Sequence, residues 1–287
     1  CGNNVTSLTA NENSNTWTVY ANRTSGTIGS DSVTFYKDTI NPLIDFGTNT
    51  AVNGVNLSQS WIYVNVSVTE TNEANITFNL YNATSTINST TFLTSIRAIN
   101  FTVPRDGIYY YNVTIHDLAN RINSTATRTI MLDTINPNAT LLTPSNNIYN
   151  NTDQNYTANL TDNLGIKNAT LNIYNSSNAL INQTTTSYNP STTQTLMGVV
   201  VTLVDGIYKW FYSLFDWAGN SYSTGNNTIT IDKTNPAINF VTPTFTDDSS
   251  FKLTYIDINI TSTDTYLERI TINLYNSSNS LINTNVS

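Results

Sequence analysis

One phrase recurs along this chain and divides it into units. Asp38-Thr39-Ile40-Asn41-Pro42 returns as Asp133-Thr134-Ile135-Asn136-Pro137 and again as Asp232-Lys233-Thr234-Asn235-Pro236, at spacings of 95 and 99 residues. A period of this length is the size of a small β-sandwich. Residues 38–132 and 133–231 each make a full unit, whereas the unit opening at Asp232 reaches Ser287 with only its first half written. Residues 1–37 carry the marks of the missing second half. The expected organisation is two complete units plus one split between the two ends, 232–287 as its N-terminal half and 1–37 as its C-terminal half. Such a chain either belongs to a longer array or completes itself with a neighbouring copy.

Period-2 patterning runs through the units. Ile62, Val64, Val66 and Val68 alternate with Trp61, Tyr63, Asn65 and Ser67; Tyr156, Ala158 and Leu160 alternate with polar residues; Ile256, Ile258 and Ile260 repeat the pattern. One apolar face per strand means half-buried antiparallel strands. The best-matched segment is Asn75–Asn82, which returns as Asn168–Asn175 and Arg269–Asn276. It is followed each time by an Asn-Ala-Thr or Asn-Ser-Ser turn. Asp106-Gly107-Ile108-Tyr109 and Asp205-Gly206-Ile207-Tyr208 read as hairpin turns. Tyr109, Tyr111, Val113 and Ile115, and then Tyr208, Trp210, Tyr212 and Leu214, are expected to face inward. Trp17–Asn22 aligns with Trp210–Phe215, so residues 1–37 read as this second half, with residues 4–10 expected to supply a strand before Trp17. The prediction is an all-β chain of tandem sandwiches.

Composition narrows the function classes. Only 10% of residues are charged, and Asn, Ser and Thr make up roughly 40%. The 17 Tyr, 10 Phe and 4 Trp argue against disorder, which goes with few aromatics. A net charge of −8 without a basic stripe excludes a nucleic-acid partner. No apolar run approaches the ~20 residues of a membrane span. One cysteine excludes an intrachain disulfide. Cys1, followed by Gly2, fits either the lipid-bearing residue of a processed lipoprotein or the arbitrary start of an excerpt.

Asp-x-x-x-Pro, Asn-Ala-Thr-Leu-Asn-Ile-Tyr-Asn-Ser-Ser (168–177), Asp-Gly-Ile-Tyr-x-Trp (205–210), Asp-Trp-Ala-Gly-Asn (216–220) and the closing Thr-Ile-Thr-Ile-Asp (228–232) together carry a resemblance. The chain resembles the immunoglobulin-like repeats of large archaeal cell-surface proteins, and is similar to the repeats of bacterial adhesin stalks. The resemblance implies seven-strand Greek-key sandwiches, extracellular placement, and a spacer or assembly role. These motifs are structural punctuation, so they speak for fold more than for function.

About twenty Asn-x-Ser/Thr sequons are present. N-glycosylation is expected, most of all at the turn positions Asn82, Asn175 and Asn276. Asn65, Asn159 and Asn259 are placed at one outward site of the second strand. Asn75, Asn168, Asn112 and Asn22 are further candidates. A glycan coat would keep so uncharged a surface soluble. No cofactor is expected. Asp38, Asp133 and Asp232 are the candidates for Ca²⁺ at the unit junctions, with Asp162, Asp247 and Asp248 as neighbours. These sets are thin for an ion that takes six to eight oxygens, and capping roles are the expectation. His116 has no second His or Cys beside it in the pattern, so zinc and triad chemistry have no anchor. Most of the 19 acids sit in turn motifs that repeat, which does not fit a unique catalytic pair. The chain is read as a non-enzyme. Trp17, Tyr111, Trp210 and Trp217 invite a sugar platform, but three of them fall at or near equivalent inward positions, where core packing is expected.

The leading expectation is a structural subunit of an extracellular, glycosylated filament, joined head-to-tail by half-domain complementation. Trp17, Val19, Val33 and Phe35 of one copy would meet Ile258, Ile260, Ile270, Ile272 and Leu274 of the next. The alternative is a stalk or S-layer segment of a longer repeat protein. A module binding cell-surface proteins or carbohydrate ranks third.

Overall fold

The computed structural model describes residues 6–287; Cys1 and Gly2 lie outside them. By contact density the chain divides into two compact units, residues 1–136 with 216–220, and residues 137–215 with 221–287.

In the first unit, β1 (Asn13–Asn22) and β2 (Ile28–Lys37) form a two-strand antiparallel hairpin. A sandwich follows, from β3 (Leu43–Phe46), β4 (Val55–Leu57), β5 (Trp61–Thr69), β6 (Glu73–Tyr81), β7 (Thr86–Phe92), β8 (Ala98–Thr102), β9 (Gly107–Asp117), β10 (Ile122–Ser124) and β11 (Arg128–Leu132). One sheet has the order β3-β5-β8. The other runs β4-β11-β9-β6-β7, with β10 paired to β9. All pairs are antiparallel except β4 with β11. The short β4 and β10 are additions to the seven strands expected.

The second unit repeats this plan with β12 (Asn138–Thr143), β13 (Ile148–Asn150), β14 (Gln154–Thr161), β15 (Ile166–Asn175), β16 (Leu180–Ser187), β17 (Gln194–Val201), β18 (Gly206–Asp216), β19 (Ser221–Ser223) and β20 (Asn227–Ile231). Its sheets are β12-β14-β17 and β13-β20-β18-β15-β16, with β19 on β18. Two further hairpin-like pairs close the chain: β21 (Ala237–Val241) with β22 (Asn259–Thr263), and β23 (Thr271–Tyr275) with β24 (Leu281–Val286). This is an all-β, immunoglobulin-like architecture.

Alternation produces the cores. Ile62, Val64, Ile76, Phe78, Leu80, Tyr111, Val113 and Ile130 are fully buried in the first sandwich. Tyr156, Leu160, Leu171, Ile173, Trp210, Tyr212 and Ile229 are fully buried in the second. Each such side chain contributes ~1.5–3 kcal/mol over exposure. This packing holds the two sandwiches without an intrachain disulfide.

Several expectations are corrected. Of the strand expected at residues 4–10, residues 6–10 form none, and residues 4 and 5 lie outside the described residues. The Asp-Gly phrases are not hairpin turns, because β8 and β9 lie in different sheets. Gly107 and Gly206 take φ of +154° and +155°, where a side chain is strained, as the chain crosses between the sheets. In the last segment β22 starts only at Asn259, so Ile256 and Ile258 precede the strand, and β23 starts at Thr271. Ile256 and Ile258 are exposed rather than packed in a core, so burial does not hold them extended. Finally, Asn159 does not share the site of Asn65 and Asn259. Thr69, Thr161 and Thr263 are equivalent by their pairing with Leu43, Asn138 and Ala237. That register sets Asn65 and Asn259 level with Thr157. Residues two apart on a strand share a face, so alternation alone does not reveal a slip of two.

Candidate functional site

The strand pairs of residues 13–37 and 237–286 follow the register of strand pairs within the intact sandwiches. In the first sandwich β9 and β11 pair Gly107 with Leu132 and Tyr111 with Arg128. In the second, β18 and β20 pair Gly206 with Ile231 and Trp210 with Asn227. The β1–β2 hairpin pairs Asn13 with Lys37 and Trp17 with Val33. Since Lys37, Leu132 and Ile231 each precede the recurring Asp, Trp17 is the counterpart of Tyr111 and Trp210. Glu12 then stands where Asp106 and Asp205 stand, and does the same work. It accepts the Thr39 amide at 2.8 Å and the Thr39 hydroxyl. Asp106 accepts the Thr134 amide at 3.0 Å, and Asp205 accepts the Lys233 amide at 2.7 Å. The Thr39 hydroxyl and amide bonds hold the Glu12 carboxyl below its ordinary range, as Thr234 and Lys233 do for Asp205. The sequence reading missed Glu12; carrying the Trp17–Trp210 alignment five residues upstream would have found it.

What differs is cover. Tyr111, Val113 and Trp210 are fully buried, but Trp17 is 44% and Val19 67% exposed. Among the described residues Trp17 therefore belongs to neither core; its ring meets that of Phe35 edge-on, at 4.6 Å. Val33 is exposed and Phe35 half-buried. In the last segment Ile258 is 40% and Leu274 43% exposed, while Ile260, Ile270 and Ile272 are half-buried. Their counterparts, placed by the matching bulges before Tyr81, Tyr174 and Tyr275, include Phe78, Leu80, Leu171 and Ile173, all fully buried. Among the described residues β1 pairs only with β2 and β23 only with β24, whereas β6 is paired on both edges by β7 and β9.

The candidate metal-binding acids gather at a corner of the sandwich. Carboxylate oxygens of Asp38, Glu70 and Asp117 lie within 4.8 Å of one another. Each acid also caps a turn. Asp38 accepts the Ile40 amide at 3.1 Å, Glu70 accepts the Asn72 amide at 2.7 Å, and Asp117 Oδ1 accepts the Ala119 and Arg121 amides, both at 2.8 Å. Asp117 is 1% exposed. Arg121 aims its guanidinium at the Asp38 carbonyl oxygen and at Asn41 Oδ1. Three carboxylates begin an oxygen cage for a hard cation without completing one. Asp133 is buried and accepts the Ile135 amide at 3.1 Å; Asp232 accepts the Thr234 amide at 3.2 Å. Asp247 and Asp248 join no such group among the described residues.

The sequon asparagines fall into two kinds. Asn82, Asn175 and Asn276 spend Oδ1 on backbone amides of their own turns, at 2.8–3.0 Å, and no bond of their Nδ2 is present among the described residues. The strand asparagines are more committed. Asn65 Nδ2 donates to Thr48 O at 3.2 Å and packs on Gly47, where a Cβ would lie 2.7 Å away. Asn259 Nδ2 donates to Thr242 O at 3.0 Å. Asn112 bridges Asn79 and Thr127. Asn75, Asn159 and Asn168 are half-buried on their strands, and Asn22 is exposed at the end of β1. His116 is half-buried beside the Asp117 corner. Among the described residues no helix is long and apolar enough to cross a membrane.

No protein-family profile matches the chain, and no curated protein matches it. Among solved structures it is similar to the fibronectin(III)-like modules of Clostridium thermocellum CbhA, with 16% identity and a TM-score of 0.35. That overlap takes in 66% of this chain and 94% of the other. It is also similar to a tetra-tandem repeat in the extending region of a large adhesion protein, with 16% identity and a TM-score of 0.41 over 96% of this chain and 70% of that one. Chicken CNTN1 FN1–FN3 domains align at 11% identity and a TM-score of 0.29 over 74% and 76%.

Proposed function

We propose that this protein is a structural subunit of an extracellular, N-glycosylated cell-surface filament, in which residues 1–37 of one copy complete residues 232–287 of the next. The observation that carries the reading is the fit between the open edges: β1 carries the side of a sandwich that β23 lacks. In the intact sandwich Leu80 pairs with Tyr111, Phe78 with Val113 and Ile76 with Ile115. The corresponding register across the joint sets Leu274 against Trp17, Ile272 against Val19 and Ile270 against Ala21. This is strand addition on the scale of half a domain, and a head-to-tail contact of this kind propagates unless it closes into a ring. Trp17, Val19, Ile258 and Leu274 together expose about two side chains' worth of apolar surface. Covering it contributes ~3–6 kcal/mol. The role is mechanical and involves no catalysis.

The test is assembly of the purified chain, followed by sedimentation velocity and electron microscopy. Wild-type chains form polymers, while Ile258→Asp/Ile272→Asp chains stay monomeric with both sandwiches folded. Polymers of normal length from that variant would refute the joint. A second reading, a stalk segment of a longer repeat protein, is favoured by the same repeat organisation. Under it the native polypeptide is much heavier than 31.7 kDa after deglycosylation.

A further inference from the structure

The half-unit at the start of the chain departs from the intact units at one charged position. The backbone turn after β9 closes with the Asp117 amide on the Arg121 carbonyl at 3.1 Å and the Asn120 amide on the Asp117 carbonyl at 3.2 Å. The turn after β18 closes likewise, with the Asp216 amide on the Asn220 carbonyl at 3.1 Å. After β1 the same turn forms from Arg23: its amide meets the Thr27 carbonyl at 2.9 Å and its carbonyl accepts the Gly26 amide at 2.9 Å. Arg23 is therefore the counterpart of Asp117 and Asp216, a cation where the intact units carry a buried acid. Its side chain is exposed and makes no ion pair or hydrogen bond among the described residues.

The other half-unit retains the two remaining acids of the corner. Asp232 caps Thr234 as Asp38 caps Ile40. Asp264 follows β22 as Glu70 follows β5, and accepts the Tyr266 amide at 2.7 Å as Glu70 accepts that of Asn72. Both are half-buried, and the second oxygen of each has no hydrogen-bond partner among the described residues. Both line one open cleft of 680 Å³ with Asp205, Thr234 and Tyr266. Three acids at one corner repel; two acids and a guanidinium attract. An arginine presents five donors in a planar fork suited to carboxylates.

We propose that Arg23 of one copy enters the corner formed by Asp232 and Asp264 of the next, so that the joint between copies is closed by an ion-pair triad absent from the sandwiches inside the chain. The inference rests on the head-to-tail reading above and adds its electrostatic lock. The apolar faces supply adhesion without direction, whereas the triad admits only a chain whose β1 turn begins with a cation. This gives the joint its register and partner choice. It also makes the joint more salt-sensitive than the sandwiches, because a partly exposed pair is screened over a Debye length of about 8 Å at physiological ionic strength.

The test is a double-mutant cycle on the full chain, with assembly constants from sedimentation. Arg23→Glu weakens assembly on the order of 30-fold or more, Asp264→Arg weakens it too, and the double variant recovers most of the loss. Lys252→Glu, the same charge change on an exposed loop, leaves assembly near wild type. If wild type polymerises and Arg23→Glu does so equally well, the triad is overturned while the apolar joint stands. If the double variant is as weak as the sum of the singles, the two residues do not meet and the proposal fails. If wild type never assembles, the head-to-tail reading falls and this inference with it.

Discussion

Two tyrosines in the second sandwich make the same chemical change act with opposite sign. Tyr212 on β18 is fully buried, and its hydroxyl donates to the Tyr156 carbonyl oxygen of β14 at 2.8 Å, tying one sheet to the other. Tyr156 is also fully buried, but its own hydroxyl has no partner among the described residues. Tyr212→Phe deletes a made hydrogen bond and leaves a buried carbonyl without that donor, which costs about 1–2 kcal/mol. Tyr156→Phe deletes a desolvated hydroxyl that gains nothing in return, so it is neutral or stabilises by about 1 kcal/mol. For a sandwich of this size the first change lowers Tm by roughly 4–12 °C. Urea unfolding, followed by the fluorescence of the fully buried Trp210, reads both. Burial pushes both phenols well above their ordinary range. A group whose folded pKa is raised binds its proton more tightly in the native state. The unfolded chain therefore loses protons first above about pH 10, and stability falls as pH rises from there. Tyr212→Phe should flatten that alkaline decline. Equal and same-signed shifts in the two variants would refute the assignment of partners.

Other consequences can be checked singly. Gly206→Ala forces a side chain into φ near +155° and costs about 1–3 kcal/mol, read by the same unfolding assay, although its Cβ would meet nothing closer than 3.5 Å. Asp205 is held below its ordinary range chiefly by the Thr234 hydroxyl and the Lys233 amide. Its contribution is present above about pH 4 and is lost as pH falls further. Asp205→Asn should therefore reduce the acid sensitivity of the thermal midpoint. Peptide mapping of native protein should find glycans at Asn82, Asn175 and Asn276 and none at Asn65, whose Nδ2 is packed on Gly47. A modified Asn65 would show that this packing opens before or during modification. With Val19→Cys and Ile272→Cys in a Cys1→Ser background, cross-strand partners lie ~4.5–5.5 Å apart. That is within disulfide reach, so oxidation should yield covalent ladders, whereas Val19→Cys with Leu274→Cys should not.

Much of the fold was written locally. The strict alternation in Ile62–Val68 and Tyr156–Leu160, the matched segments ending in Tyr81 and Tyr174, and the inward series from Tyr109 and Tyr208 all specify strand faces before any partner is known, because side chains alternate with period 2. The recurring Asp and Asn-Pro phrases likewise carry their own local bonds, so their spacing exposes the repeat. Partnership between strands is a non-local property, and there the sequence misled. Asp106-Gly107 has the look of a hairpin, yet β8 and β9 join different sheets. Asn159 has the look of Asn65, yet register sets it two residues away. Glu12 and Arg23 share no letter with Asp106 and Asp117, and only the hydrogen bonds around them show that they hold the same posts. Trp17 and Tyr111 are equivalent in sequence and in strand position, but one is open and the other sealed. Alternation determines which face of a strand is apolar; only the packing of distant segments decides whether that face is covered.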